Sequence, residues 1–202
     1  MWSAEYDVNH RILDKEFEDI ISLGNDCSVA WAMKDRGLRK ESMPFDFIAT
    51  TPSEVLYWLR NDFDGFFEGG NVNRRFMHFR DESSRREKLT KRIVRFQERI
   101  HSSSELLLIW TQTPEVMSTN RRYETYCGFM NILGWFEHAG ISFSAIALTF
   151  GCKMEDKDNI LNMQFKNYGV DMCYGNQSSA ERLQQEMMKV FSTIKRTRSS
   201  VG

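Results

Sequence analysis

The stretch IISLGNDCSVAWAM, Ile20–Met33, carries the most information about the fold. Its first four residues form a short apolar run ending at Gly24, which reads as a strand closed by a turn. Asn25 and Asp26 are good helix caps, and the spacing predicts a helix from about Cys27 to Arg36. Gly37 supplies the C-terminal stop of that helix. A strand, a tight polar turn and a helix therefore follow one another within twenty residues, with a cysteine at the helix start. That order is the unit of a layered α/β domain.

The rest of the chain repeats the alternation. Pro44 biases Met43 toward extended backbone, so SMPFDF is an extended or turn segment. Thr51, Pro52 and Glu54 form a capping box that opens a second helix. A further capping box is predicted at Ser84 with Glu87, followed by a stripe of Leu89, Ile93, Phe96 and Ile100. ELLLIWTQ and ISFSAIALTF read as buried strands on either side of a helix over about 119–138. NILNMQF and GVDMCYG are weaker strand candidates, and SSAERLQQEMMKVFSTIK reads as a C-terminal helix. The expected fold is one layered α/β domain, a mostly parallel or mixed central sheet flanked by helices. The domain is expected over 19–195, with residues 1–18 as an arm or short helix and 196–202 as a flexible tail.

With 202 residues, 41% of them hydrophobic and 27% charged, the chain has the composition of an ordinary globular domain that needs no metal or disulfide to fold. A net charge of -1 argues neither for nor against a nucleic-acid partner. No apolar run approaches the ~20 residues that cross a bilayer. The N-terminal twenty residues are too acidic for a secretory signal. The cysteines, Cys27, Cys127, Cys152 and Cys173, lack any zinc-knuckle spacing. These features lead to an expectation of free thiols in a cytoplasmic or nuclear protein, with no metal and no cofactor.

Cys27 has two readings. A thiol at a helix N-terminus faces unpaired N–H groups and the positive end of the helix dipole, which favour thiolate and could hold an oxyanion. Cysteine is also a small apolar residue that packs well. Asn25 and Asp26 are caps in the simpler reading and oxyanion or turn residues in the catalytic one. Of the four histidines, His101 and His138 end helices, where a cation meets the negative pole. His10 lies in the N-terminal segment. His78, in RFMHFRD, is the candidate general base, the alternative being a histidine packed beside Phe79. The arginines of 74–99 could contact phosphate or nucleic acid, although interleaved acids make a solvated helix face the favoured account.

Two segments together resemble domain-of-unknown-function family 1796, whose members carry the label putative papain-like cysteine peptidase. The matching residues are Ser22-Leu23-Gly24, Cys27, Gly37-Leu38-Arg39 and the run Ser42, Pro44, Phe45, Asp46, Phe47, with RFMHFRD further on. This chain has Phe47 where the family usually has Trp, and Phe79 directly after His78 where the family usually has Asp. The resemblance implies Cys27 as nucleophile, His78 as base and Asp81 as an orienting group. It also implies a papain-like α+β fold as the alternative to the α/β layout. The function expected is a cysteine-dependent hydrolase or acyl transferase acting on protein or peptide. One alternative is a catalytically inactive interaction module presenting Phe63, Phe66 and Phe67. A second is phosphate or nucleic-acid binding through the 74–99 basic segment.

Overall fold

The computed structural model describes residues 3–24, 27–68, 76, 81–112, 119–150, 154–166 and 185–197, without the side chains of residues 82 and 119–124. The elements are β1 (Ser3–Glu5), a 3-10 turn (Arg11–Asp14), β2 (Glu16–Phe17), β3 (Asp19–Ser22), α1 (Ser28–Asp35), α2 (Pro52–Arg60) and α3 (Glu82–Ser102). They continue with β4 (Leu106–Thr111), α4 (Thr119–His138), β5 (Ser144–Phe150), β6 (Ile160–Lys166), α5 (185–191) and β7 (Lys195–Arg196).

The central sheet has the order β1-β6-β5-β4-β3. Pairs β3–β4, β4–β5 and β5–β6 are parallel, and β1 closes the far edge antiparallel to β6. β3, β4 and β5 are buried along their whole length, as expected of parallel strands with helices on both faces. The fold is therefore the α/β layout and not the papain-like α+β alternative. Strand alternation sends two sets of side chains to opposite faces. Ile21, Leu108, Trp110 and Ala147 meet Phe45, Trp58, Phe66, Phe96 and Phe129 on one face. Ile20, Leu107, Ile109, Leu148 and Met163 meet Val29, Ala32, Met33, Val190 and Phe191 on the other.

Residues 3–17 depart from the arm or short helix expected of them. They supply β1 to the sheet and β2 to a small parallel pair with β7. Ser3 lies opposite Lys166, a pairing too distant in sequence for local periodicity to reveal. Arg196, expected in the tail, belongs to β7, and 198–202 lie outside the described residues. α3 also starts earlier than expected. Its N-cap is Asp81, whose carboxylate accepts from the Ser84 N–H at 2.6 Å, so an aspartate three residues upstream serves where Ser84 was expected to. The Thr51–Glu54 capping box of α2 is present in both halves. Segment GVDMCYG falls outside the described residues.

Candidate functional site

Because β3 to β6 run parallel, their carboxyl ends share one edge, which is where α/β sheets bind ligands. β3 is the outermost strand at the end of the order, and its C-terminal turn delivers Cys27 there. The turn is built by close packing. The Ser22 hydroxyl accepts from the Gly24 N–H at 3.3 Å, and Gly24 takes φ +83°. A Cβ on Gly24 would stand 2.4 Å from Thr50 Oγ1 and 3.3 Å from Phe45 Cβ, so only glycine fits. Leu23 is fully buried on the aromatic face.

Cys27 is the N-cap residue of α1, with φ −83° and ψ −6°. Its carbonyl accepts from the Trp31 N–H at 3.0 Å, opening the first helical turn. The thiol is half-buried, lies outside any disulfide and does not cap the helix amides. Val29, Ala32 and Met33 seat α1 on the aliphatic face.

The segment after α1 crosses the sheet edge. Leu38 belongs to the aliphatic core and Met43 to the aromatic one, so the chain folds over β3 between them. Phe45 is fully buried with ring centroids 5.6 Å from Phe63, 5.5 Å from Phe96 and 6.4 Å from Trp58. Asp46 is 1% exposed; its Oδ2 accepts from the Met43 N–H at 3.0 Å and from Arg39 Nη1 at 3.1 Å. Oδ1 has no hydrogen-bond partner among the described residues. Burial pushes the Asp46 carboxyl up, opposed by the Met43 N–H and the Arg39 guanidinium. Pro44 is buried in the same turn, and Phe47 follows in the left-handed region at φ 63°.

Helix α3 braces this turn. Arg95 donates to the Ser42 carbonyl at 2.7 Å and pairs with Glu41 at 3.0 Å, while Arg92 reaches the Asp46 carbonyl at 3.4 Å. Arg99 approaches Asp19 and Glu41 at 3.9 and 3.7 Å. The sequence pattern alone puts these arginines on a solvated face or in a phosphate-binding run. Their heads instead hold the 41–46 turn against the sheet. The partners lie about fifty residues away in sequence, which is why spacing did not reveal them.

Of the residues proposed from sequence, Ser22, Leu23, Gly24, Cys27, Pro44, Phe45 and Asp46 converge on one edge. Asp81 caps α3 and is exposed. His78, Asn25 and Asp26 lie outside the described residues. Phe63 and Phe66, expected as an interaction surface, are instead 7% and 1% exposed and belong to the aromatic core, with Phe67 packed partly against it. Among the described residues, no cluster of His, Cys, Asp or Glu could hold a metal ion, and no helix is long and apolar enough to cross a membrane.

The segment that wraps the edge is also the segment with known relatives. Residues 18–78 match the family described as "Putative papain-like cysteine peptidase (DUF1796)". The match to this family begins just before β3 and takes in the Cys27 turn, α1, the 42–47 turn and α2. An uncharacterized protein of Acanthamoeba polyphaga mimivirus, R408, is 39% identical over 49 residues, 24% of this chain and 22% of that protein. The chain thus spans about a fifth of that relative's length. No solved structure matches the chain.

Proposed function

We propose that the protein is a cysteine-dependent hydrolase or acyl transferase whose nucleophile is Cys27 and whose substrate is a protein or peptide. The observation that supports this reading best is the position of Cys27. It is a half-buried thiol at the first turn of a helix, delivered by a tight turn to the carboxyl edge of a parallel sheet. The positive end of the helix dipole there favours thiolate over thiol. A strand–turn–nucleophile–helix arrangement recurs where a reactive side chain must stand clear of a sheet. The family description of the same segment agrees with it.

In this mechanism the Cys27 thiolate adds to an acyl carbonyl, forming a C–S bond and a tetrahedral oxyanion. Helix N–H groups and the Asn25–Asp26 turn hold that oxyanion. Collapse breaks the bond to the leaving amine or alcohol, which takes a proton from the imidazolium of His78. Water, or a second nucleophile in a transferase, then gives its proton to His78 and adds to the thioester carbonyl; collapse breaks the C–S bond, freeing the acyl product and restoring the Cys27 thiolate beside the imidazolium. Asp81 is left to α3, whose N-terminus it caps. The cytoplasm or nucleus, where thiols stay reduced, suits such an enzyme.

The interaction-module reading loses its surface with the burial of Phe63 and Phe66. The nucleic-acid reading loses Arg92, Arg95 and Arg99 to contacts within the chain. The test is labelling of the full chain by an electrophilic peptidyl probe, read by mass spectrometry. Wild type should be modified at Cys27, Cys27→Ala should not react at that site, and His78→Ala should label at least tenfold more slowly at neutral pH. Equal labelling of wild type and Cys27→Ala, or a Cys27 rate no faster than that of Cys127, overturns the proposal.

A further inference from the structure

α1 presents one large apolar side chain to solvent. Trp31 is 42% exposed, whereas Val29, Ala30, Ala32 and Met33 of the same helix are buried. Trp31 stands one turn after Cys27, joined to it by the first backbone hydrogen bond of the helix. Side chains in a helix lean toward its N-terminus, so the surface that Trp31 covers lies over the turn that carries Cys27. The Phe47 ring meets Trp31 edge-on, with centroids 5.2 Å apart and planes at 72°. Phe47 holds this position from a left-handed backbone that a phenylalanine seldom adopts. The Arg39 guanidinium lies over the Phe47 ring at 4.9 Å and is itself anchored by the buried Asp46. The Lys34 ammonium lies over Trp31 at 4.9 Å and enters no ion pair among the described residues. An aromatic corner flanked by cations thus stands one helical turn after Cys27, backed by the same segment that packs against Gly24.

We propose that Trp31 and Phe47 form the subsite that selects the substrate side chain nearest the scissile carbonyl, favouring an aromatic residue with a neighbouring carboxylate that pairs with Lys34. This rests on the reading of Cys27 as nucleophile. One helical turn rises ~5.4 Å, and successive residues of an extended substrate stand ~3.3 Å apart. A ring on Trp31 therefore reaches a side chain one or two residues from the bond attacked at Cys27. Aromatic pairs prefer the edge-to-face geometry that Phe47 already makes with Trp31, and a substrate ring extends it. The Lys34 charge gains from a carboxylate partner at the rim of the corner.

The test uses the full chain with two kinds of reagent. Iodoacetamide reports the intrinsic reactivity of Cys27. Peptidyl vinyl sulfones ending in Glu-Phe, Gln-Phe and Glu-Ala report selection. Trp31→Ala should leave the iodoacetamide rate within about twofold and lower the Glu-Phe rate about tenfold, leaving Glu-Ala unchanged. Trp31→Phe should restore most of the Glu-Phe rate. Lys34→Ala should remove the preference for Glu-Phe over Gln-Phe. An unchanged Phe-to-Ala ratio in Trp31→Ala overturns the subsite while leaving Cys27 as nucleophile. Absence of peptidyl labelling at Cys27 in wild type, with normal iodoacetamide labelling, overturns the proposed function and the subsite with it.

Discussion

The two faces of the sheet are filled by different chemistry. One is packed with rings: Phe45, Trp58, Phe63, Phe66 and Phe96 interlock with centroids 4.8–6.4 Å apart, and Trp110 stacks on Phe129 at 4.8 Å. The other is mainly aliphatic, built from Ile, Leu, Val and Met with Phe17, Phe150, Phe165 and Phe191 among them. The 18–78 segment contributes to both, because it folds over the edge strand β3. Its helix α1 packs on the aliphatic face and its 42–47 turn on the aromatic face. Aromatic pairs prefer defined edge-to-face or offset geometries, whereas aliphatic packing has no such orientational preference. Phe45 lies against Gly24 from the aromatic face, so that face forms the wall behind the end of β3 that leads to Cys27.

The sharpest way to break that contrast is a pair of truncations. Phe45→Ala removes a ring packed against Trp58, Phe63 and Phe96, in the residue whose Cβ and carbonyl lie beside Gly24, and should cost about 3–5 kcal/mol. Leu161→Ala, on the aliphatic face in β6, should cost about 2–5 kcal/mol. Denaturant titration measures both. The difference lies at the thiol. Well below either midpoint, Phe45→Ala should change the rate of Cys27 alkylation, while Leu161→Ala should leave it as in wild type. Equal effects on the thiol would show that the two faces do not differ in what they position.

A smaller perturbation isolates the wall from the core. Gly24→Ala forces a Cβ into the left-handed region, about 1–2 kcal/mol, and into Thr50 Oγ1, roughly 1–3 kcal/mol more. Adding Thr50→Ala removes the hydroxyl but not the backbone strain. The double variant should recover part of the loss in thermal unfolding. Full recovery would mean that the turn tolerates alanine and that the clash alone makes Gly24 necessary. No recovery would point to Phe45, 3.3 Å from the added Cβ, as the limiting neighbour.

Much of this architecture is legible in the sequence wherever the determining interactions are local. The β3–turn–α1 unit, the Thr51–Glu54 box and the strands after residue 105 follow from periodicity, caps and glycine stops within windows of ten residues. What escapes is decided at a distance. The exposure of Phe63 and Phe66 depends on Phe96 and Phe76, which no window containing FDGFFE includes. Arg92 and Arg95 look solvated beside Glu87 and Glu98, and only the tertiary fold brings them to the 42–46 turn. β1 pairs with β6 across nearly the full chain. At the candidate site the place of Cys27 at the start of α1 and the 42–47 motif beside it are readable. The ion pair Arg39–Asp46 spans a proline turn, and it is the fold of that turn that brings the two residues together.

Two carboxylates near the ends of the edge strand should respond to pH in opposite directions, and this is the smallest effect of the set. Asp46, behind the wall, is held up by burial. Its folded form binds a proton more readily than its unfolded form, so its contribution to stability is fullest at low pH and declines as pH rises from the ordinary aspartate range toward the raised value. Glu18, at the opposite end of β3, is held down by the Ser104 N–H at 2.9 Å and the Ser104 hydroxyl at 2.9 Å. Its contribution is present above the ordinary glutamate pKa and is lost as pH falls through the lowered value. On acidification, the stability of wild type relative to Asp46→Asn should therefore grow, and that relative to Glu18→Gln should shrink. Difference curves from thermal unfolding between pH 3 and 7 separate the two. Curves of the same sign would mean that the Asp46 pocket opens to water when its carboxyl ionises, and that the aromatic wall is softer than its ring packing implies.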